Sequence, residues 1–381
     1  MRSTYSTIGV LVTVLTSVAI FPLQLRSEPK DGETWNRQAA ADYLDQRAAW
    51  WTNWPRAAKD HETVCISCHT ALPYALGRPA LRTALGEKTL SSGEQRIVAS
   101  VTKRVKLWNE VLPFYSDAVH GKHKTAEARG TESILNALIL VNYDARAGKF
   151  GDEARQAMDN MWVLQLKSDE TKGAWSWLDF HNEPWEAGDS QYWGSTLAAI
   201  AIGSTPKDYQ ATPEVRENVN LLKEYLQAGW QQQSTINRTF LLWASTKVSG
   251  LLTPAQQSLI VADILSKQLE DGGWSTTSVV MSGWKRADGT PLETRSDGFG
   301  TGLAAFALQR AGVTRDRPEI KQALAWLERN QDKQGLWPAY SLNKQREPSA
   351  DAWLFMTDAA TAYSVLALTD AAEVSGASSS R

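Results

Sequence analysis

Cys65-Ile66-Ser67-Cys68-His69 holds both cysteines of the chain, with a histidine directly after the second. C-x-x-C-H is the pattern by which a c-type haem is attached. Two thiols can add to the porphyrin vinyl groups as thioethers, and the adjacent imidazole can ligate iron from the proximal side. Both sulfurs and the ring must reach one macrocycle from a single turn of backbone, and this spacing allows it. A local Cys65–Cys68 disulfide and half of a zinc site are the competing readings. Zinc would need further ligands at suitable spacing, and there is no third cysteine.

A haem needs a second axial partner or an open position. His120 and His123 lie between Pro113 and Gly130, His181 lies between Leu166 and Gly194, and Met281 precedes Gly300. All four are distal candidates, and a thioether from Met281 would raise the potential. His61, four residues before Cys65, is too constrained to reach the distal face. Arg78 and Arg82 follow the motif at helical spacing and could pair with haem propionates. Asp189, Asp297 and Asp358 each stand near the start of an apolar helix. They are weak candidates for acid chemistry, and helix capping is the favoured role. Asp271 reads as structural.

Haem c is attached outside the cytoplasm, and the first 26 residues fit an export signal. Arg2 supplies a positive start, Ile8–Leu23 is an uncharged and mostly apolar run, and polar residues follow. The run is short for a membrane span, and no clear A-x-A cleavage site follows it. The expectation is a periplasmic or otherwise exported protein, with 8–23 as a possible uncleaved inner-membrane anchor. The 40 basic and 42 acidic residues nearly balance, which gives no reason to expect nucleic acid or an anionic surface as a partner.

The elements that must position these residues are helical. Outer helices with a charged face are expected at Asn36–Trp51, Gly93–Val111, Asp152–Gln165, Pro213–Gln227, Pro254–Gln268 and Pro318–Gln331. Inner helices, apolar nearly all round, are expected at Cys65–Leu76, Thr131–Val141, Ser195–Ile202, Ile236–Val248, Thr301–Leu308 and Asp358–Leu368. The alternation predicts an all-α fold of six helical hairpins closed into an (α/α)6 toroid. An open solenoid is the alternative. Residues 27–372 would form this single domain, and 373–381 a disordered tail.

Connections from outer to inner helices are long, and long loops in a compact domain tend to be functional. They should gather at one mouth of the ring. They carry many of the 17 tryptophans, among them Trp175, Trp177, Trp185, Trp193, Trp274, Trp284, Trp337 and Trp353, which are expected as aromatic walls for a haem.

Q-x-x-x-G-x-W occurs at Gln268–Trp274 and Gln331–Trp337, with a looser version at Gln165–Trp175. These motifs resemble the QW repeats of squalene–hopene cyclases, whose wider group includes the protein prenyltransferase β-subunits. The resemblance spans residues 36–372. It implies the toroid, and it implies that Gln268, Trp274, Gln331 and Trp337 tie an outer helix to its neighbour. Neither parent chemistry carries over. No D-x-D-D cluster is present. Asp297 stands where the prenyltransferases place a zinc-ligating aspartate, but Phe299 stands near their cysteine, and no histidine follows His181. Fold analogy supplies no function. The leading expectation is an exported monohaem c-type protein acting in electron transfer or oxidation. It would work with a redox partner protein and an apolar or terpenoid small molecule at the mouth. A terpenoid cyclase-like enzyme and a binding or scaffold toroid are the alternatives.

Overall fold

The computed structural model describes residues 34–280, 283–348 and 350–377, without the side chains of 370–377. The leader and Met281 lie outside the described residues.

Twelve principal helices pair into six hairpins. They are α1 (Arg37–Asn53), α2 (Ala71–Leu85), α3 (Ser92–Lys106), α4 (Lys124–Arg146), α5 (Asp152–Val163), α6 (Ser190–Gly203), α7 (Pro213–Gly229), α8 (Thr235–Ser245), α9 (Pro254–Leu265), α10 (Gly298–Arg310), α11 (Pro318–Asn330) and α12 (Leu354–Ala377). The even-numbered helices form the inner ring: α2 packs on α4, α4 on α6, α6 on α8, α8 on α10, α10 on α12, and α12 returns to α2. That last contact closes the ring and removes the open-solenoid alternative.

The outer helices begin where their sequence says they should. Ser91 and Glu94 build a capping box at α3, and Thr253 and Gln256 build one at α9. Pro213, Pro254 and Pro318 open the first turns of α7, α9 and α11, where a missing N–H costs nothing. The inner helices are buried on nearly every face, as α6 and α10 show. Small residues let their axes approach closely. A Cβ on Gly302 of α10 would lie 2.6 Å from the backbone nitrogen of Ser364 on α12.

The glutamine–tryptophan pairs link successive outer helices. Gln268 Nε2 donates to Gly272 O in its own turn (2.8 Å) and to Glu319 O at the start of α11 (2.8 Å). Gln331 does the same with Gly335 O (3.0 Å) and Asn36 O (3.0 Å), and its Oε1 accepts from Asn36 N (2.7 Å). Gln165 reaches Gly173 O (3.1 Å) and Asn218 O (2.9 Å). Each partner indole donates back into its own outer helix: Trp175 to Met161 O, Trp274 to Ile264 O and Trp337 to Leu327 O, at 2.6–2.7 Å.

Four expectations need correction. The inner helix expected from Cys65 starts at Ala71, because the motif forms the turn that leads into it. The last helix runs to Ala377, through part of the segment expected as a tail. Trp175, Trp193, Trp274 and Trp337 are fully buried, so they pack the wall and do not line the mouth. Arg78 bonds Asp45 and Glu87, and Arg82 bonds Glu94, so both are engaged in ion pairs of the first two hairpins and not held for propionates.

Candidate functional site

The motif turn is held from three sides. Cys65 N donates to Ala57 O (2.8 Å), in line with a short antiparallel pair formed by Ala58–Lys59 and Thr63–Val64. Trp51 Nε1, on α1, donates to Cys65 O (2.7 Å). Ser67 Oγ accepts from Thr70 N (3.2 Å) and Ala71 N (3.0 Å), so this serine caps the turn that carries Cys68 and His69. The turn before α2 meets the loop before α6 and the start of α12, through the contacts of His69 with Trp185 and Phe355.

His69 sits among aromatic rings. Phe355 of α12 stacks on its face (centroids 3.8 Å apart, planes at 18°), Trp51 meets it edge-on at 5.0 Å, and Trp185 lies at 6.2 Å. Its Nδ1 lies 2.8 Å from Thr70 Oγ1. Thr70 Oγ1 donates to Asp358 Oδ2 (2.6 Å), and Asp358 Oδ1 accepts from Arg47 Nε (2.8 Å) and Tyr43 Oη (2.7 Å). Nε2 has no hydrogen-bond partner among the described residues. Burial, and then the Arg47 charge, push the imidazole down to about 3, so the ring is neutral at ordinary pH. Burial raises the Asp358 carboxyl, against the pull of Arg47 and the two hydroxyls.

The two sulfurs are enclosed. Cys65 is 8% exposed and Cys68 3%. Burial, followed for Cys68 by the nearby Glu186 charge, holds both thiols in the protonated form, with Cys65 pushed up to about 12. Thiols so placed are poor nucleophiles and poor zinc ligands, which both need thiolate. No cluster of three or more His, Cys, Asp or Glu that could hold a metal ion occurs among the described residues, so the zinc reading gains no ligand set. The cysteines are not bonded to each other.

Two further groups escaped the sequence reading. Glu183 and Glu186 flank Pro184 and Trp185 in the loop before α6. Burial raises both carboxyls to about 7, helped for Glu183 by Asp189 and opposed for Glu186 by Lys124. Glu186 lies deep in the chain yet keeps partial exposure. Its charge is felt by both thiols, and the buried Trp185 Nε1 beside it has no acceptor. Their position in a long loop next to a tryptophan was the available signal. Arg47 and Tyr43 sit in an ordinary outer helix and gave none.

The acid candidates divide. Asp297 caps α10: its carboxylate accepts from Phe299 N, Gly300 N, Thr276 N and Thr276 Oγ1 at 2.6–3.0 Å. The Asp189 carboxylate accepts from Asn237 Nδ2 (2.9 Å) and Ser234 Oγ (3.4 Å) and makes no side-chain capping bond to its own helix. Asp358 is the acceptor at the centre of the His69 network. Asp271 is structural as expected, bonding Gly273 N, Ser296 Oγ and Trp326 Nε1. The histidines expected on the distal side stand in the mouth loops, and none is among the rings that touch His69. His120 rests edge-on against Tyr115 (5.0 Å), His123 is exposed before α4, and His181, with 91% of its side chain exposed, faces Asp179 at 3.4 Å. His61 is exposed in a left-handed turn (φ 51°).

No family model matches the chain, and no curated protein is similar to it. Among solved structures, a glycosidase point variant superposes on 88% of this chain and 97% of its own, with a TM-score of 0.50 and 13% identity. A glycosidase variant in complex with glucose gives the same coverage, identity and TM-score. An α-1,6-mannanase from Salegentibacter (GH76A) matches 89% of this chain and 100% of its own at 10% identity, with a TM-score of 0.49. Identities this low speak for the fold alone: the chain shares an all-helical toroid with the glycosidases over most of its length.

Proposed function

We propose that this chain is an exported monohaem c-type protein built on a helical toroid, acting in electron transfer or in oxidation of an apolar substrate at the mouth. The observation that carries the reading is the turn at Cys65–His69, where two thiols and an imidazole with an unclaimed Nε2 come from one capped segment. The donor set fits in type and order. The sulfurs would hold the macrocycle, His69 would ligate iron from the proximal side, and Trp51, Trp185 and Phe355 provide aromatic surroundings. Cys65 and Cys68 belong to the packed core, so a bound macrocycle requires the surrounding side chains to move aside. When bound, the haem supplies one-electron chemistry, and a redox partner protein would dock at the mouth. His120, His123, His181 and Met281 are the distal candidates, and 8–23 is the proposed anchor. No helix among the described residues is long and apolar enough to cross a membrane.

Expression in a host with haem-attachment machinery tests this. The expected product is red, has a sharp reduced α-band and keeps its colour through acid–organic extraction. Cys65→Ala and Cys68→Ala each lose the covalent link. A colourless wild-type protein from that host removes the reading.

A second reading rests on Glu183 and Glu186. Two carboxyls near neutrality beside tryptophan, on a fold shared with glycosidases, suit acid–base chemistry on a glycan at the mouth. Release of reducing ends from a glycan panel, abolished in Glu186→Gln, would support it. The terpenoid cyclase alternative is supported less. Its resemblance lies in wall contacts made by Gln268, Trp274, Gln331 and Trp337, and a carboxyl held near 7 is too weak an acid to protonate an alkene.

A further inference from the structure

The hydrogen bonds around His69 constrain where its proton sits. Asp358 receives three donors: Arg47 Nε (2.8 Å) and Tyr43 Oη (2.7 Å) on Oδ1, and Thr70 Oγ1 (2.6 Å) on Oδ2. A carboxylate facing a guanidinium and two hydroxyls acts as the acceptor. Desolvation works against the charge of Arg47, yet Asp358, Tyr43 and Asp351 together raise its proton affinity, so the guanidinium stays charged. A threonine hydroxyl has a single proton, and this one is directed at Asp358. The 2.8 Å contact between Thr70 Oγ1 and His69 Nδ1 must then be an N–H of the imidazole donating to the hydroxyl oxygen. Nε2 has no acceptor among the described residues, so nothing there holds a second proton, and an imidazole with one N–H keeps it on Nδ1.

We infer that Thr70 and Asp358 are positioning residues that keep the imidazole proton on Nδ1 and leave Nε2 as a bare lone pair at the mouth of the toroid. The chain of bonds crosses three elements. Tyr43 and Arg47 come from α1, Thr70 from the motif turn, and Asp358 from α12, so the network is assembled only where the first and last hairpins meet. Phe355, one helical turn before Asp358, stacks on the ring and limits its rotation, which keeps Nδ1 on the threonine. The arrangement has the logic of a metal-ligating histidine whose second nitrogen is fixed by an outer hydroxyl–carboxylate pair. That Nε2 meets iron rests on the haem reading; the tautomer does not.

The experiment uses full-length, haem-free protein labelled with 15N-histidine at neutral pH, with the His69 signals assigned through His69→Gln. One-bond 15N–1H correlations report which nitrogen is protonated. The wild type should carry the proton on Nδ1. Thr70→Val should move a large share of the population to the Nε2–H form, and Thr70→Ser, which keeps the hydroxyl, should restore Nδ1–H. A wild-type ring protonated on Nε2 overturns the inference, and so does an unchanged tautomer in Thr70→Val. If Thr70→Val does not fold, the wild-type and Thr70→Ser spectra still decide the matter. A protein that stays colourless in the haem-attaching host but shows Nδ1–H loses the haem reading and keeps this one.

Discussion

At Asp297, four donors converge on one buried carboxylate, and burial still raises its pKa to about 6. The shift has a sign that can be checked. Because the folded value lies above the unfolded one, the stability Asp297 confers is complete below about pH 4 and declines as pH rises through 6. Compared with Asp297→Asn, whose side chain does not titrate, the wild type should lose about 2 kcal/mol of relative stability between pH 4 and 7. Urea titrations of both proteins across that range measure it, and parallel curves would refute the assignment. Truncation to alanine strands all four donors and should cost about 3 kcal/mol or more at any pH. Asp297 was legible from sequence as a cap, because an aspartate directly before an apolar, glycine-rich helix start has few other uses. The roles of Thr70 and Asp358 were not, since their partners come from hairpins nearly 300 residues apart in the chain.

At the scale of the element, the glutamine–tryptophan turns fasten one outer helix to the next, and the third does so across the seam of the ring. Trp337 is fully buried, and Trp337→Ala should cost about 3–5 kcal/mol by cavity formation alone. Gln331→Ala removes the bonds to Asn36 at both backbone atoms and should cost about 1–3 kcal/mol. Gly335 holds φ +89°, and a Cβ there would come within 2.2 Å of the Ala39 backbone, so Gly335→Ala should destabilise more than Gln331→Ala. Thermal melts of the three variants rank these effects. A Gln331→Ala protein as stable as wild type would show that the seam does not depend on this contact. The helices themselves were readable, because charged-face and all-apolar stretches alternate with clear periodicity and capped starts. The tryptophans were misread for a physical reason. A tryptophan after a helix-ending glycine looks like a loop residue, yet the turn folds back and inserts the indole under the helix it follows.

For the molecule as a whole, the contact between α2 and α12 separates this protein from a repeat array. An open array can fray from its ends one unit at a time. A closed ring has no terminal unit, so opening any hairpin exposes apolar faces on both neighbours. Denaturant unfolding followed by tryptophan fluorescence and by far-ultraviolet circular dichroism should therefore give coincident single transitions. Separated transitions would mean that the seam is weak and that the hairpins unfold independently. The fold class was legible because closure is suggested once six inner stretches alternate with six outer ones. What closure does to the motif was not, since no local pattern reveals that the last helix will lie against the first.

That geometry also imposes an order of events on the newly made chain. Cys65 and Cys68 are synthesised early, whereas Phe355 and Tyr363, which press on the imidazole and neighbour Cys68, belong to the final hairpin. Until that hairpin packs, the walls around the two thiols are incomplete; once it has, both are buried. If a haem is joined to them as proposed, attachment should precede that closure.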